Sequence, residues 1–132
     1  MGSKGYATWA GFAFERLCLK HVPWITRHLQ IDQLVKNYGA YFNRRTNRKE
    51  GVQIDLLFVR HDPVVTLCEI KYHAGLIGKL VMTEVEKKVA LLDEPKKTIE
   101  KVLITTEGVT RDLADSHYFS RVVLLDEIFA LD

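Results

Sequence analysis

The sequence predicts a single α/β domain over residues 1–132, a central mixed β-sheet flanked by helices. Three observations carry that prediction. Hydrophobic residues make up 47% of the 132 and charged residues 27%, close to globular averages, which excludes a disordered or low-complexity chain. A chain of this length buries a sizeable core without disulfides or metals. Its patterning alternates between helical and strand periods in the order helix, three strands, helix, strand, short helix or loop, strand, which is the grammar of an α/β fold.

Taken in order, Ala7 to Val22 reads as a helix, with Ala10, Ala13, Phe14, Leu17 and His21 on one face. A second stripe, Gly11, Phe12, Cys18, Leu19 and Val22, carries one acid, Glu15. Pro23 ends or restarts the helix and leaves a short piece from Trp24 to about Leu29. Leu34 to Phe42 fits a strand and is followed by a polar, basic loop containing Arg44, Arg45, Arg48 and Lys49. Val52 to Arg60 and Val64 to His73 are the clearest strands, joined by the turn sequence His61-Asp62-Pro63. Both are apolar on both faces, as buried central strands are. Leu80 to Leu92 is helical, with Met82, Val85, Val89 and Leu92 on one stripe and Pro95 beyond it. Val102 to Thr105 and Val122 to Leu125 are short strands, and Asp126 is placed to cap a last turn through Phe129.

Charge and motifs exclude several function classes. Nineteen basic against seventeen acidic side chains leave a net +2, so any electropositive surface must be local. Cys18 and Cys68 form neither a disulfide framework nor a CxxC metal pair, and a reducing cytoplasm is the expected setting. No stretch has the length of a membrane helix, and the apolar run before Glu15 and Arg16 lacks the cleavage site of a signal peptide. Gly75-Leu76-Ile77-Gly78-Lys79 is too short for a P-loop and is followed by Leu80 rather than Ser or Thr. There is no GxSxG, and the histidines at 21, 28, 61, 73 and 117 lack zinc spacing. His73 stands two residues beyond Lys71, at the rim of the strand.

The chemistry concentrates on the hairpin. Glu69 and Lys71 lie two apart in one strand and share a face. A three-residue turn opposes Arg60 to Val64 and, carried along the ladder, Asp55 to Glu69, about 5 Å apart at Cβ. Two carboxylates in a mostly apolar setting repel each other and lose hydration. A divalent cation relieves both problems, and oxygen-only ligation selects Mg²⁺ or Mn²⁺ over zinc. A nearby lysine can orient a water or stabilise charge growing on a phosphate. A structural salt bridge of Lys71 with Asp55 or Glu69 accounts for the same residues and stays open. Glu86/Lys88 and Glu94/Lys96 repeat the acid-x-Lys spacing, but on a helix surface and around Pro95, where solvated charge is expected.

Gly51-Val52-Gln53-Ile54-Asp55-Leu56-Leu57-Phe58 and Cys68-Glu69-Ile70-Lys71-Tyr72 resemble the active-site strands of the PD-(D/E)xK, restriction-endonuclease-like nucleases. More narrowly, the stretch from Gly5 through Trp9 and Glu15 to Cys18 resembles the C-terminal nuclease-like domain of a group of archaeal and bacterial ATPases. The likeness runs through Leu103-Ile104-Thr105-Thr106-Glu107-Gly108-Val109 to Leu125-Asp126-Glu127-Ile128-Phe129. It implies an αβββαβ core, Asp55 and Glu69 as metal ligands and Lys71 as a catalytic group. It also implies Glu15 as an added acid at the metal, with Gln53 joining the site from the face of Asp55. Lys79 and Lys88 match, more loosely, basic positions after the active-site strands. Ile54 stands where the family's name has proline.

The resemblance implies Mg²⁺- or Mn²⁺-dependent hydrolysis of DNA phosphodiester bonds. Arg44, Arg45, Arg48 and Lys49, with Lys79 and Lys88, are then expected to meet DNA phosphates. Expected partners are DNA and an ATPase module, which this chain does not itself contain; a homodimer is compatible with both, and no membrane is expected. A noncatalytic DNA- or protein-binding domain and an oligomerisation module of a larger ATPase remain the rival readings.

Overall fold

A computed structural model describes residues 4–43, 52–92 and 96–129. Proline has no backbone N–H and is tolerated only in a helix's first turn. The N-terminal helical stretch accordingly divides into α1 (Lys4–Lys20) and α2 (Val22–His28), with Pro23 in the first turn of α2. The buried stripe of α1 is Ala10, Phe14 and Cys18, spaced four apart. It differs from both stripes expected from the sequence: Ala13 is exposed and Phe12 and Leu19 face out. Only one side of α1 meets the sheet, and the small Ala10 and Cys18 allow the close approach that larger side chains would prevent.

Strands β1 (Val35–Asn43), β2 (Val52–Arg60) and β3 (Val64–Lys71) form an antiparallel meander. Helix α3 (Leu80–Leu92) crosses over to β4 (Thr98–Thr105), which pairs parallel with β3. The short α4 (Arg111–Asp115) leads to β5 (Arg121–Leu124), parallel to β4, and α5 (Leu125–Phe129) follows directly. The result is an α/β fold around one five-stranded mixed sheet in the order β1-β2-β3-β4-β5. Helices α1, α2 and α5 cover one face, through Phe14, Cys18, Ile25 and Ile128 against Leu56, Phe58, Cys68 and Ile104. Helices α3 and α4 cover the other, through Val81, Val85 and Leu113 against Ile54, Leu67 and Leu103.

Two expectations are corrected at the C-terminal end. Strand β4 begins at Thr98 rather than Val102 because its first four residues pair with Val64–Leu67 of β3. The last helix begins at Leu125, and the capping acid is Glu127, not Asp126. Its Oε1 accepts the Leu124 backbone N–H at 3.1 Å, the reach-back half of a capping box. No helix among the described residues is long and apolar enough to cross a membrane.

Candidate active site

The β2–β3 hairpin has the expected register, with the three-residue turn at 61–63 and four pairs from Val59↔Val65 to Leu56↔Cys68. The ladder ends there, one step short of Asp55 and Glu69. Strand β2 continues along β1 to Val52↔Asn43, while β3 continues along β4 to Lys71↔Thr105. The sheet therefore forks between β2 and β3.

A β-bulge sits at the fork. Gly39↔Leu57 is followed by Tyr41↔Ile54, so Asp55 and Leu56 together oppose Ala40 alone. An extra residue re-aims the side chains on either side of it. Ile54 packs with α3 whereas Leu56 packs with α1, which shows the alternation slipping by one across Asp55. Asp55 thereby turns toward α1, and Glu69 toward α3. The two acids neighbour each other electrostatically without the in-ladder pairing expected from the sequence.

Helix α3 answers β3 charge for charge. The Lys88 Nζ donates to Glu69 Oε1 at 2.6 Å, and the Lys71 ammonium donates to Glu84. The match is geometric: two residues of a strand span about 6.6 Å and four residues of a helix about 6 Å, so Glu69/Lys71 and Lys88/Glu84 come into step. The crossover makes α3 run against β3, and the pairs therefore meet in opposite order. Glu69 is 5% exposed, and Lys88 is its ion-pair partner. The Lys71–Glu84 pair is more open, with side chains 31% and 51% exposed. Lys88 is thus no solvated helix charge: its ammonium enters the fork.

Asp55 and Glu15 are the two acids of the fork that form no ion pair with a described residue. Burial is the main cause that pushes the Asp55 carboxyl up to about 6, and the Glu15 and Glu69 carboxylates add to it. Lys88 and a 3.2 Å hydrogen bond from Gln53 Nε2 oppose the rise. Glu15 reaches this position from α1, half-buried, three residues before Cys18. Burial, with the Glu15 and Asp55 charges behind it, pushes the Cys18 thiol up to about 12, which makes it a core side chain and not a nucleophile.

The fork thus brings together Glu15, Gln53, Asp55, Glu69 and Lys88, with Lys71 held alongside by Glu84. Glu84 was missed in the sequence; its signal was the i, i+4 spacing to Lys88 on the polar side of α3. Lys79 is exposed one residue before α3 and is not among the charges acting on Asp55. His73 is exposed, its Nδ1 3.2 Å from the Gly75 carbonyl. Tyr38 on β1 is 53% exposed. Arg44, Arg45, Arg48 and Lys49 lie outside the described residues.

Among the described residues, no three His, Cys, Asp or Glu side chains stand close enough to hold a metal ion between them. The donors nevertheless suit a hard cation chemically: carboxylates from three elements, one of them raised by burial and by its neighbours' charge. One ammonium, that of Lys88, answers them at the fork. In comparisons with protein-family models, curated proteins and solved structures, nothing matches this chain.

Proposed function

We propose that the domain is a divalent-metal-dependent nuclease of the restriction-endonuclease-like kind, hydrolysing phosphodiester bonds in DNA. The observation that carries this reading is Asp55, turned by a bulge into a fork of the sheet beside two further carboxylates and pushed up to about 6. Burial and like-charge repulsion acting together on one carboxyl are the perturbations by which functional sites tune their acids. Asp55 and Glu69 would hold Mg²⁺ or Mn²⁺, with Glu15 completing the acid set. When bound, such an ion supplies Lewis-acid activation of water and neutralises charge on phosphate.

The chain's own residues have separable roles. Gln53 orients Asp55 through its amide. Lys88 pairs with the Glu69 carboxylate in the absence of a cation and withdraws along its flexible stem when one competes for it. Lys71, held at the end of β3 by Glu84, supplies positive charge where a phosphate oxygen gains negative charge. The basic loop from Arg44 to Lys49 supplies phosphate contacts, and an ATPase module or a second copy would be the protein partner.

A cleavage assay tests this. With Mg²⁺ or Mn²⁺, and across duplex, nicked, branched and single-stranded DNA, the wild type should cut at least one substrate. Asp55→Asn and Lys71→Ala should each lose about 100-fold or more. A wild type that cuts none of them contradicts the proposal. The two closed ion pairs, Glu69–Lys88 and Lys71–Glu84, favour a second reading, a noncatalytic DNA- or protein-binding domain that uses them to fasten α3. On that reading the fold binds DNA and nothing is cut.

A further inference from the structure

The side of α1 turned away from the sheet carries a stripe that the fork does not use. Trp9 and Phe12 are 65% and 62% exposed, and Arg16 and Lys20 continue the line, both exposed. At 100° per residue these four positions fall opposite the buried Cys18, and at 1.5 Å per residue they extend over about 16 Å. They line an open groove of about 640 Å³, and Glu15 is on its lip. The groove therefore runs beside the acid that faces Asp55.

We propose that this face of α1 binds single-stranded DNA, with unpaired bases stacking on Trp9 and Phe12 and phosphates meeting Arg16 and Lys20. The choice of DNA rests on the nuclease reading; the choice of a single strand rests on the residues. Exposed aromatic faces followed by cations along one helix face suit a single strand, because every unpaired base offers a π-face and every linkage a negative charge. A duplex keeps its bases stacked inside and offers Trp9 and Phe12 only backbone. A second copy docking face to face would set Arg16 and Lys20 against their own equivalents, and like charges across an interface are disfavoured. Glu15 repels phosphate, so the strand lies along the Arg16 and Lys20 side with its bases toward the aromatics.

The test is binding in EDTA, so that no cleavage is needed and its outcome is separable from the nuclease reading. The chain has two tryptophans, and Trp24 is buried, its ring stacked on His28 at 4.6 Å. Quenching by a fifteen-residue oligo-dT probe therefore reports Trp9. The expected result is quenching and saturable binding by that probe, with a duplex of equal length binding more weakly and quenching little. Trp9→Ala and Phe12→Ala should each weaken oligo-dT binding roughly tenfold. Arg16→Gln and Lys20→Gln should each flatten the salt dependence by about 0.7 in log–log slope. Circular dichroism checks each fold; if Trp9→Ala fails to fold, Phe12→Ala carries the test. Equal binding of duplex and oligo-dT, or wild-type affinity in Phe12→Ala, overturns the inference. So does a dimer, seen by sedimentation, that Phe12→Ala disrupts while leaving oligo-dT affinity unchanged. A protein that cuts nothing can still pass, and an active nuclease can still fail.

Discussion

Asp55 carries a proton more readily in the folded chain than in the unfolded one, and the consequence for stability has a definite sign. Its folded pKa of about 6 lies above the model-compound value of 3.8. Its contribution is therefore fully present below about pH 4 and is lost as the pH rises to 6. Asp55→Asn removes the charge and keeps the shape. In EDTA the variant should match the wild type near pH 4 and exceed it at pH 7 by about 1 kcal/mol, a gain limited by water screening at this half-exposed carboxyl. Urea unfolding at the two pH values measures it, and an unchanged difference between them would show that Asp55 is not held in a repulsive setting. Lys88 has the opposite role. Lys88→Met leaves Glu69 buried without its cation, and removing one partner of such a pair costs about 3 kcal/mol at pH 7. Saturating Mn²⁺ should recover part of that loss, because the ion takes over the charge that Lys88 supplied.

At the scale of elements, β3 and α3 act as one unit, because strand and helix repeats of similar length bring Glu69/Lys71 against Lys88/Glu84. The outer pair is open to water and should matter little to stability. Glu84→Gln is expected to shift unfolding by under about 1 kcal/mol, while freeing the Lys71 ammonium. If Lys71 acts in hydrolysis, the same variant should alter the pH profile of cleavage more than the fold. Much of this unit was legible in the residues. Asp55 and Glu69 stood out as acids inside apolar runs, and the turn at His61-Asp62-Pro63 was enough for the hairpin register. The bulge was not legible, because a one-residue slip at Asp55 and Leu56 leaves no trace in composition and arises from pairing with β1. The Lys71–Glu84 contact was hidden for a similar reason, since it exists only after α3 folds back over β3. Four residues of β4 escaped because Glu100 and Lys101 interrupt the apolar run. The final cap was assigned to Asp126 because a reach-back from Glu127 looks, in sequence, like any acidic first turn.

Across the whole molecule, the sheet topology gives the fork a direction of approach. Glu69 and Lys71 lie toward the carboxyl end of β3, where β4 pairs with it to the last residue. In open α/β sheets that end is where ligands gather. The fork between β2 and β3 adds an opening from the side, with α1 along one flank and α3 along the other. The nuclease proposal rests on this fork accepting a divalent ion. The most direct measurement is a crystal structure of the protein soaked with Mn²⁺ and read by anomalous scattering. The account predicts a peak within about 2.5 Å of carboxylate oxygens of both Asp55 and Glu69, with the Lys88 ammonium displaced from Glu69. A fork without a peak at saturating Mn²⁺, with Lys88 still bonded to Glu69, would contradict it.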